Sequence, residues 1–224
     1  IVEPVDDFRE SNPASNGPIL DWLAQDFVEH GYDLQHLMRR ILRSRTYQSS
    51  SLPNQTNAGD HRNFSRSLRR RLPAEVMADA ITTATDIAAD YTGLPPRARA
   101  MHVWNTTMPS TFLDTFGRPD ASAECPCERD PAPTITQTLH LANSRKLTDR
   151  ISLGASRATR LSKSELPPER IVEELYLATF SRPPTQAEQK AAAAAFAYKD
   201  ATRQTATEDL LWALINTAEF MLNH

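Results

Sequence analysis

The residues best equipped for chemistry gather in one stretch, Phe116-Gly117-Arg118-Pro119-Asp120, running on to Cys125-Pro126-Cys127-Glu128-Arg129-Asp130. It holds both cysteines of the chain. Two thiolates at this spacing can share a zinc ion, but a tetrahedral site needs two further ligands. His102 and His140 flank the stretch and are the candidates. Alternatively, Cys125 and Cys127 close a small disulfide, strained and therefore reducible, or they pack the loop as structural thiols. Cys125-Pro126-Cys127-Glu128 lacks the C-x-x-C-H pattern of haem attachment, so no haem is expected in this fragment.

Arg118, Asp120, Glu128, Arg129 and Asp130 carry the charges to line an anion- or sugar-binding cleft. Trp104 is the aromatic placed to stack on a sugar or meet a partner. Asp120 and Glu128 are the carboxylate types used in glycoside cleavage, although spacing in sequence sets no distance in space. The competing arrangement is an internal salt-bridge network tying this loop to the arginines of residues 62–71. Such a network must match every buried charge, because an unpaired one is very costly. Trp22 and Trp212 fall on helical stretches and are expected in the core. His30, His36, His61 and His224 are scattered and show no ligand spacing, so they read as surface or satisfied helix residues. The chain has no nucleophile elbow, phosphate-binding glycine loop, dinucleotide fingerprint or His-Glu-x-x-His. No catalytic residue is assigned, and whether the protein is an enzyme stays open.

The positioning elements follow from composition. Six glycines and sixteen prolines in 224 residues, with alanine- and leucine-rich stretches, predict helices joined by proline-marked loops. A net charge of -3 supplies no global attraction to nucleic acid or anionic lipid. No apolar run approaches the roughly 18 residues of a membrane span. The chain begins at Ile1, without an initiator methionine, and is expected to be a piece of a longer protein.

Residues 1–17 read as a polar lead-in arm, and 18–224 as a single helical domain with a possible division into 18–151 and 167–224. A first helix opens at Pro18 with Ile19, Leu20, Leu23, Ala24, Phe27 and Val28 on one face, and Gly31 stops it. Asp33 caps a second, faced by Leu34, Leu37, Met38, Ile41 and Leu42, making an antiparallel hairpin. After a loop to His61 come five arginines within 62–71. They invite a nucleic-acid reading, but they lack interleaved aromatics beyond Phe64 and read better as ion-pair partners. Pro73 opens a helix to about Tyr91, with Val76, Ala80, Ile81, Ala84, Ile87 and Ala88 inward. Residues 94–133 hold the only stretches resembling strands. Thr134–Gln137 is a capping box for a helix to Ile151, followed by a linker over 152–166. Pro168 starts the next helix, broken at Arg182-Pro183-Pro184. Further capping boxes at Thr185–Glu188 and Thr205–Glu208 start the last two, for about seven helices in an irregular, mainly α bundle around the polar loop.

Taken in order, these residues resemble a family of unknown function. Ile19-Leu20-Asp21-Trp22-Leu23-Ala24 is followed by Ser44 to Gln48, by Arg70-Arg71-Leu72 with Ala74-Glu75, and by Asp79-Ala80. Phe116 to Pro119, Cys125 to Arg129, Gln137 to Leu141 with Asn143, Glu174 to Leu177, Ser181 to Pro184 and Asp209 to Leu214 continue the series. The series is similar to the planctomycete-specific C-terminal domain that follows a cytochrome-associated domain in large exported proteins. Where that family has His-Pro-Glu, this chain has Asn16-Gly17-Pro18, and Ala121 and Ser122 stand where a second arginine is usual. The resemblance implies an exported, periplasmic or envelope-associated parent. It further implies contact with that parent's N-terminal domains, and with a secreted sulfatase-like protein or polysaccharide. It implies no established activity. Residues and resemblance together lead us to expect a non-catalytic binding or scaffolding module, the alternative being a metal or thiol-redox module on Cys125 and Cys127.

Overall fold

The computed structural model of the protein describes residues 1–2, 7–60, 63–103, 108–119 and 134–223. They are mainly helical, and the only sheet among them has two strands of two residues each, β1 (Arg70–Arg71) and β2 (Leu222–Asn223). Strands this short leave no alternation to read, and they lie outside the region where the sequence suggested them. No described helix is long and apolar enough to cross a membrane. The chain divides into two compact units, residues 1–70 and 71–223.

The first unit is built on a hairpin of α1 (Gly17–Glu29) and α2 (Leu34–Leu42). Asn16 accepts from the Ile19 amide at 3.3 Å, and Pro18 sits in the first turn, where a missing N–H costs nothing. Gly31 and Tyr32 turn the chain with φ of 64° and 62°. Asp33 Oδ1 then accepts from the amides of Gln35 and His36 at 2.8 and 3.1 Å. The roles of Pro18, Gly31 and Asp33 match expectation, the Asn16 cap was not anticipated, and the burial differs. The only buried residue of the two helices is Asp26. Ile19, Trp22, Val28, Leu34, Met38, Ile41 and Leu42 are exposed, Trp22 to 51%. Each helix is apolar over a wider arc than a single partner helix can cover.

The second unit opens with α3 (Ala74–Thr85) and carries a 3-10 turn at Ala100–His102 and the short α4 (Thr111–Thr115). Next come α5 (Ile135–Asn143), α6 (Arg145–Ser152) and α7 (Arg157–Ser162). α8 (Pro168–Phe180), α9 (Gln186–Phe196), α10 (Arg203–Ile215) and α11 (Ala218–Met221) complete it. Its core brings Met77, Ile81, Leu113, Phe116, Leu141, Ile171, Leu175, Leu211 and Ile215 together. Trp212, expected there, is 38% exposed on α10. The buried face of α3 is also rotated from the expected one. Ala74, Met77, Ala78, Ile81 and Ala84 are buried, while Val76 and Ala80 are half-buried. The rotation brings Asp79 inside, where its Oδ1 accepts from the Ala100 amide at 2.6 Å and Arg99 pairs with it at 3.3 Å.

α3 ends a turn and a half early for a tertiary reason. Its last carbonyls have no intrahelical partner, and arginines from later helices take them. Arg157 donates to the carbonyls of Ala84 and Thr83 at 3.0 and 3.1 Å. Arg150 donates to the Ile87 carbonyl and to the Thr82 hydroxyl. Asp86, left-handed at φ 59°, closes the end and pairs with Arg160 at 2.7 Å. That bond, with the neighbouring arginine charges, holds the Asp86 carboxyl below its ordinary value against the opposite pull of desolvation. The donors sit on α6 and α7, so the expected linker over 152–166 is partly helix.

Side-chain caps also divide helices that the sequence reads as continuous. Ser144 accepts from the Leu147 amide and separates α5 from α6. Thr217 accepts from the Phe220 amide and separates α10 from α11. Such side chains compete with the helical ladder for its donors. The boxes at Thr134–Gln137 and Thr185–Glu188 form as expected. The last box is Thr202–Thr205, one residue triplet earlier than Thr205–Glu208. Arg203 anchors that added turn by donating to the carbonyls of Ser162 and Ser164 at 2.8 and 2.9 Å.

Arg182, between α8 and α9, clamps three helices. It donates to Glu188 and Glu219 at 2.7–2.9 Å and lies over the rings of Tyr176 and Phe180 at 5.6 and 5.5 Å. The guanidinium first, and then the Thr185 amide, hold the Glu188 carboxyl down at about 2.

Replacing Arg157 by alanine is expected to cost about 2 kcal/mol, since hydrogen bonds from a charged donor are lost. Far-UV circular dichroism should show melting lowered by roughly 4–8 °C. Arg157→Lys should recover less than half of that loss, because an ammonium lacks the two-pronged donor geometry. The Glu188 contribution is fully present above its ordinary value of 4.5 and lost as pH falls toward about 2. Glu188→Gln should therefore flatten stability against pH in that window and leave the dependence at neutral pH unchanged.

Candidate functional site

The polar stretch picked out by its chemistry is described as far as Pro119, and this base is firmly held. Ser110 caps α4 by accepting from the Leu113 amide at 3.3 Å. At the other end Gly117 takes φ 81°. The Gly117 amide then bonds the Asp114 carbonyl at 3.2 Å, and the Arg118 amide bonds the Leu113 carbonyl at 2.9 Å. This pair of crossed bonds is the Schellman closure of a helix, which needs a left-handed residue at that place. Glycine adopts it without the clash that a Cβ brings. Pro119 follows, buried, and prevents the helix from resuming.

Phe116 is the anchor, 1% exposed. Its ring stacks on Phe112 at 4.5 Å, meets the edge of His140 at 6.0 Å and lies under the Arg71 guanidinium at 6.0 Å. Its carbonyl accepts from Arg71 Nη1 at 2.9 Å. Gln137, also buried, donates to the Thr115 carbonyl at 3.1 Å while its Oε1 accepts from the Thr134 amide at 3.2 Å. One side chain thus completes the cap of α5 and fixes the preceding end of α4. Arg71, at the end of the arginine-rich segment, bonds a carbonyl of the loop base, while the acidic loop residues of the salt-bridge reading lie outside the described residues. Upstream, Arg66 bonds the Asn57 carbonyl and Arg69 the Ser51 hydroxyl, both at 3.3 Å.

Arg118 lies with its side chain only 6% exposed, and its Nε donates to Asp114 at 3.1 Å. Its Nη1 has no hydrogen-bond partner among the described residues. His140 is half-buried against Phe112 and Phe116, and burial followed by the Lys146 charge pushes its imidazole below the ordinary value. It lines a cleft of about 1150 Å³ together with Ile87, Tyr91, Phe112, Lys146 and Arg150. His102 ends the 3-10 turn, where its Nδ1 accepts from the Arg99 amide at 3.4 Å. Trp104, Asp120, Cys125, Cys127, Glu128, Arg129 and Asp130 lie outside the described residues. Of the proposed metal ligands only His102 and His140 are described, and the thiol pair lies outside the described residues.

The structure also gathers residues that the sequence reading dispersed. His30 and His36, taken there as unrelated, both contact Asp26. The pattern that signals this is the four-residue step from Asp26 to His30 at the end of α1. His36 then lies in the first turn beyond a tight reversal, which returns it to the same end of the hairpin. Beside this cluster the uncovered apolar residues of α1 and α2 share the surface with Arg39, Arg40 and Arg43, and Arg40 lies 5.4 Å over the Trp22 ring.

Gly117→Ala is expected to destabilise the second unit by about 1–2 kcal/mol through its left-handed backbone. Phe116→Ala is expected to cost about 3–5 kcal/mol through the cavity it leaves. Urea titration checks both, and a Gly117→Ala protein as stable as the parent would show that the helix closure is dispensable.

Comparison with known proteins places these elements. No curated protein and no solved structure matches the chain. A family model described as PSD1, protein of unknown function (DUF1553), matches residues 1–196, a span that includes the hairpin, the Phe116–Pro119 turn and Arg182 with Glu188. The chain belongs to that PSD1 family, whose function is unknown.

Proposed function

We propose that this chain is a non-catalytic binding module of a larger exported, envelope-facing bacterial protein, and that it docks a partner protein on the α1–α2 hairpin. The observation that carries the reading is the uncovered apolar face of that hairpin. Two helices that bury only Asp26 between them leave Ile19, Trp22, Val28, Leu34, Met38 and Ile41 exposed. Exposed large apolar side chains gathered on two adjacent helices among polar groups mark an interaction surface. α2 has arginines at 39 and 40 and no acidic residue, with Arg43 following it. The complementary occupant is an amphipathic protein segment whose acidic groups lie along α2, since α1 itself carries Asp21, Asp26 and Glu29. Neighbouring domains of the parent and the sulfatase-like secreted protein implied by the family resemblance are candidates to supply it. Polysaccharide binding through Trp104, Asp120, Glu128 and Arg129 rests on the sequence alone, as does metal or redox chemistry at Cys125 and Cys127.

The test is a photo-crosslinking amino acid at position 38 of the parent protein in its native cell, read by mass spectrometry of the adducts. One recurring acidic protein segment, lost when Ile41→Glu is added, supports the proposal. Adducts only to lipid or glycan, or none, overturn it. With the segment identified, Trp22→Ala is expected to weaken binding by about thirtyfold or more, the scale of an aromatic interface anchor. Melting should hardly change, because Trp22 is half exposed in the chain alone.

A further inference from the structure

We propose that Asp26, His30 and His36 form a binding site for a divalent transition-metal ion of the zinc class at the turn end of the α1–α2 hairpin. Each residue offers one ligand atom, and these atoms lie within 4.8 Å of one another. Among the described residues no other group of three histidines, cysteines or carboxylates is so placed. Local geometry explains the gathering. Asp26 and His30 stand one helical turn apart on α1, and the reversal through Gly31 and Tyr32 brings the first turn of α2 back beside them.

The donor set is chemically selective. Two imidazole nitrogens with one carboxylate oxygen suit zinc, nickel, copper or ferrous iron, whereas magnesium and calcium prefer all-oxygen cages. The two carboxylate oxygens are divided between neighbours. Arg40 holds Oδ1 at 3.2 Å, and Oδ2 faces His36 Nε2 at 3.0 Å, where a metal ion can replace the shared proton. Asp26 is buried to 5% exposure, and its two carboxylate oxygens are held in place by Arg40 and His36 of α2. Arg40 fixes the orientation of the carboxylate from outside the ligand set, as partners of metal ligands characteristically do.

The imidazoles stack, with centroids 3.7 Å apart and planes at 13°. A metal lies close to the plane of each ring that binds it, so loading the site turns one ring out of the stack. His30 is the ring able to turn. Its side chain is 41% exposed, and its Nδ1 bonds the Asp26 carbonyl at 2.8 Å. Three protein ligands leave coordination positions for water or for an exogenous group. The bound ion would join the end of α1 to the start of α2. It therefore stabilises the hairpin by an amount that grows with the logarithm of free metal concentration above the dissociation constant, and this is independent of whether the apolar face docks a partner.

The experiment titrates the full chain with zinc and with cobalt ions, following melting temperature, stoichiometry and the visible absorption of bound cobalt. One ion per chain is expected, with a rise in melting temperature and cobalt bands of mixed nitrogen and oxygen ligation. His30→Ala and His36→Ala should each weaken binding by more than about tenfold, since removal of a direct ligand exceeds the loss of an outer partner. His140→Ala should leave binding unchanged. His36→Gln, which keeps a donor toward Asp26, guards against a merely unfolded hairpin and should also abolish the cobalt bands. Absence of stoichiometric binding overturns the proposal. So does binding that survives both histidine variants yet is lost when Cys125 and Cys127 are replaced.

Discussion

Short helices create a shortage of donors, and this fold meets it with arginine. Each helix leaves its last carbonyls without a partner inside the helix, and the second unit has many helix ends for its length. Guanidinium groups from elsewhere in the chain take them. Arg157 and Arg150 serve the end of α3, Arg203 serves the end of α7 and the turn after it, and Arg71 serves the end of α4. A guanidinium suits the task because its donors are splayed, its charge is permanent and its stem is apolar enough to lie along a core. The helix ends are therefore joints, and each joint ties two distant pieces of chain.

The same constraint gives the base of the polar loop its shape. Three unrelated requirements converge there: a left-handed residue at Gly117, a buried ring at Phe116 and a satisfied carbonyl on each of residues 115 and 116. Phe-Gly-Arg-Pro meets the first two locally, while Gln137 and Arg71 meet the third from a distance. Arg182 plays a comparable part at the other end of the unit, where one guanidinium satisfies two carboxylates and covers two aromatic rings. Motifs that resemble a site in sequence thus have a mechanical task in the fold. The exposed apolar residues of the hairpin have no such task in the chain alone, while Asp26 ties α1 to His36 and Arg40 of α2.

Legibility followed the range of the interaction concerned. The caps at Asn16, Asp33, Thr134 and Thr185 involve atoms two or three residues apart, and of these Asp33, Thr134 and Thr185 are legible in the sequence. The end of α3 was misplaced because the arginines that close it stand 63 to 74 residues away. Burial failed in the hairpin for a different reason. Periodicity shows which residues are apolar, but it cannot show whether anything covers them, so Trp22 was assigned to a core that the hairpin does not have. The Asp26–His30–His36 cluster was missed because its members belong to two helices, and only the turn between them brings His36 into range.

By itself, the amino-acid sequence determined that the chain is mainly helical, where several helices begin and to which family the chain belongs. These depend on backbone chemistry and side-chain caps, which act within about one helical turn. The tertiary structure alone decided which faces are covered, where α3 stops, what the loop base rests on and which histidines meet a buried carboxylate. Each of those is settled by solvation. A carbonyl, a charge or an apolar face must find its partner or remain in water, and that partner can lie anywhere along the chain.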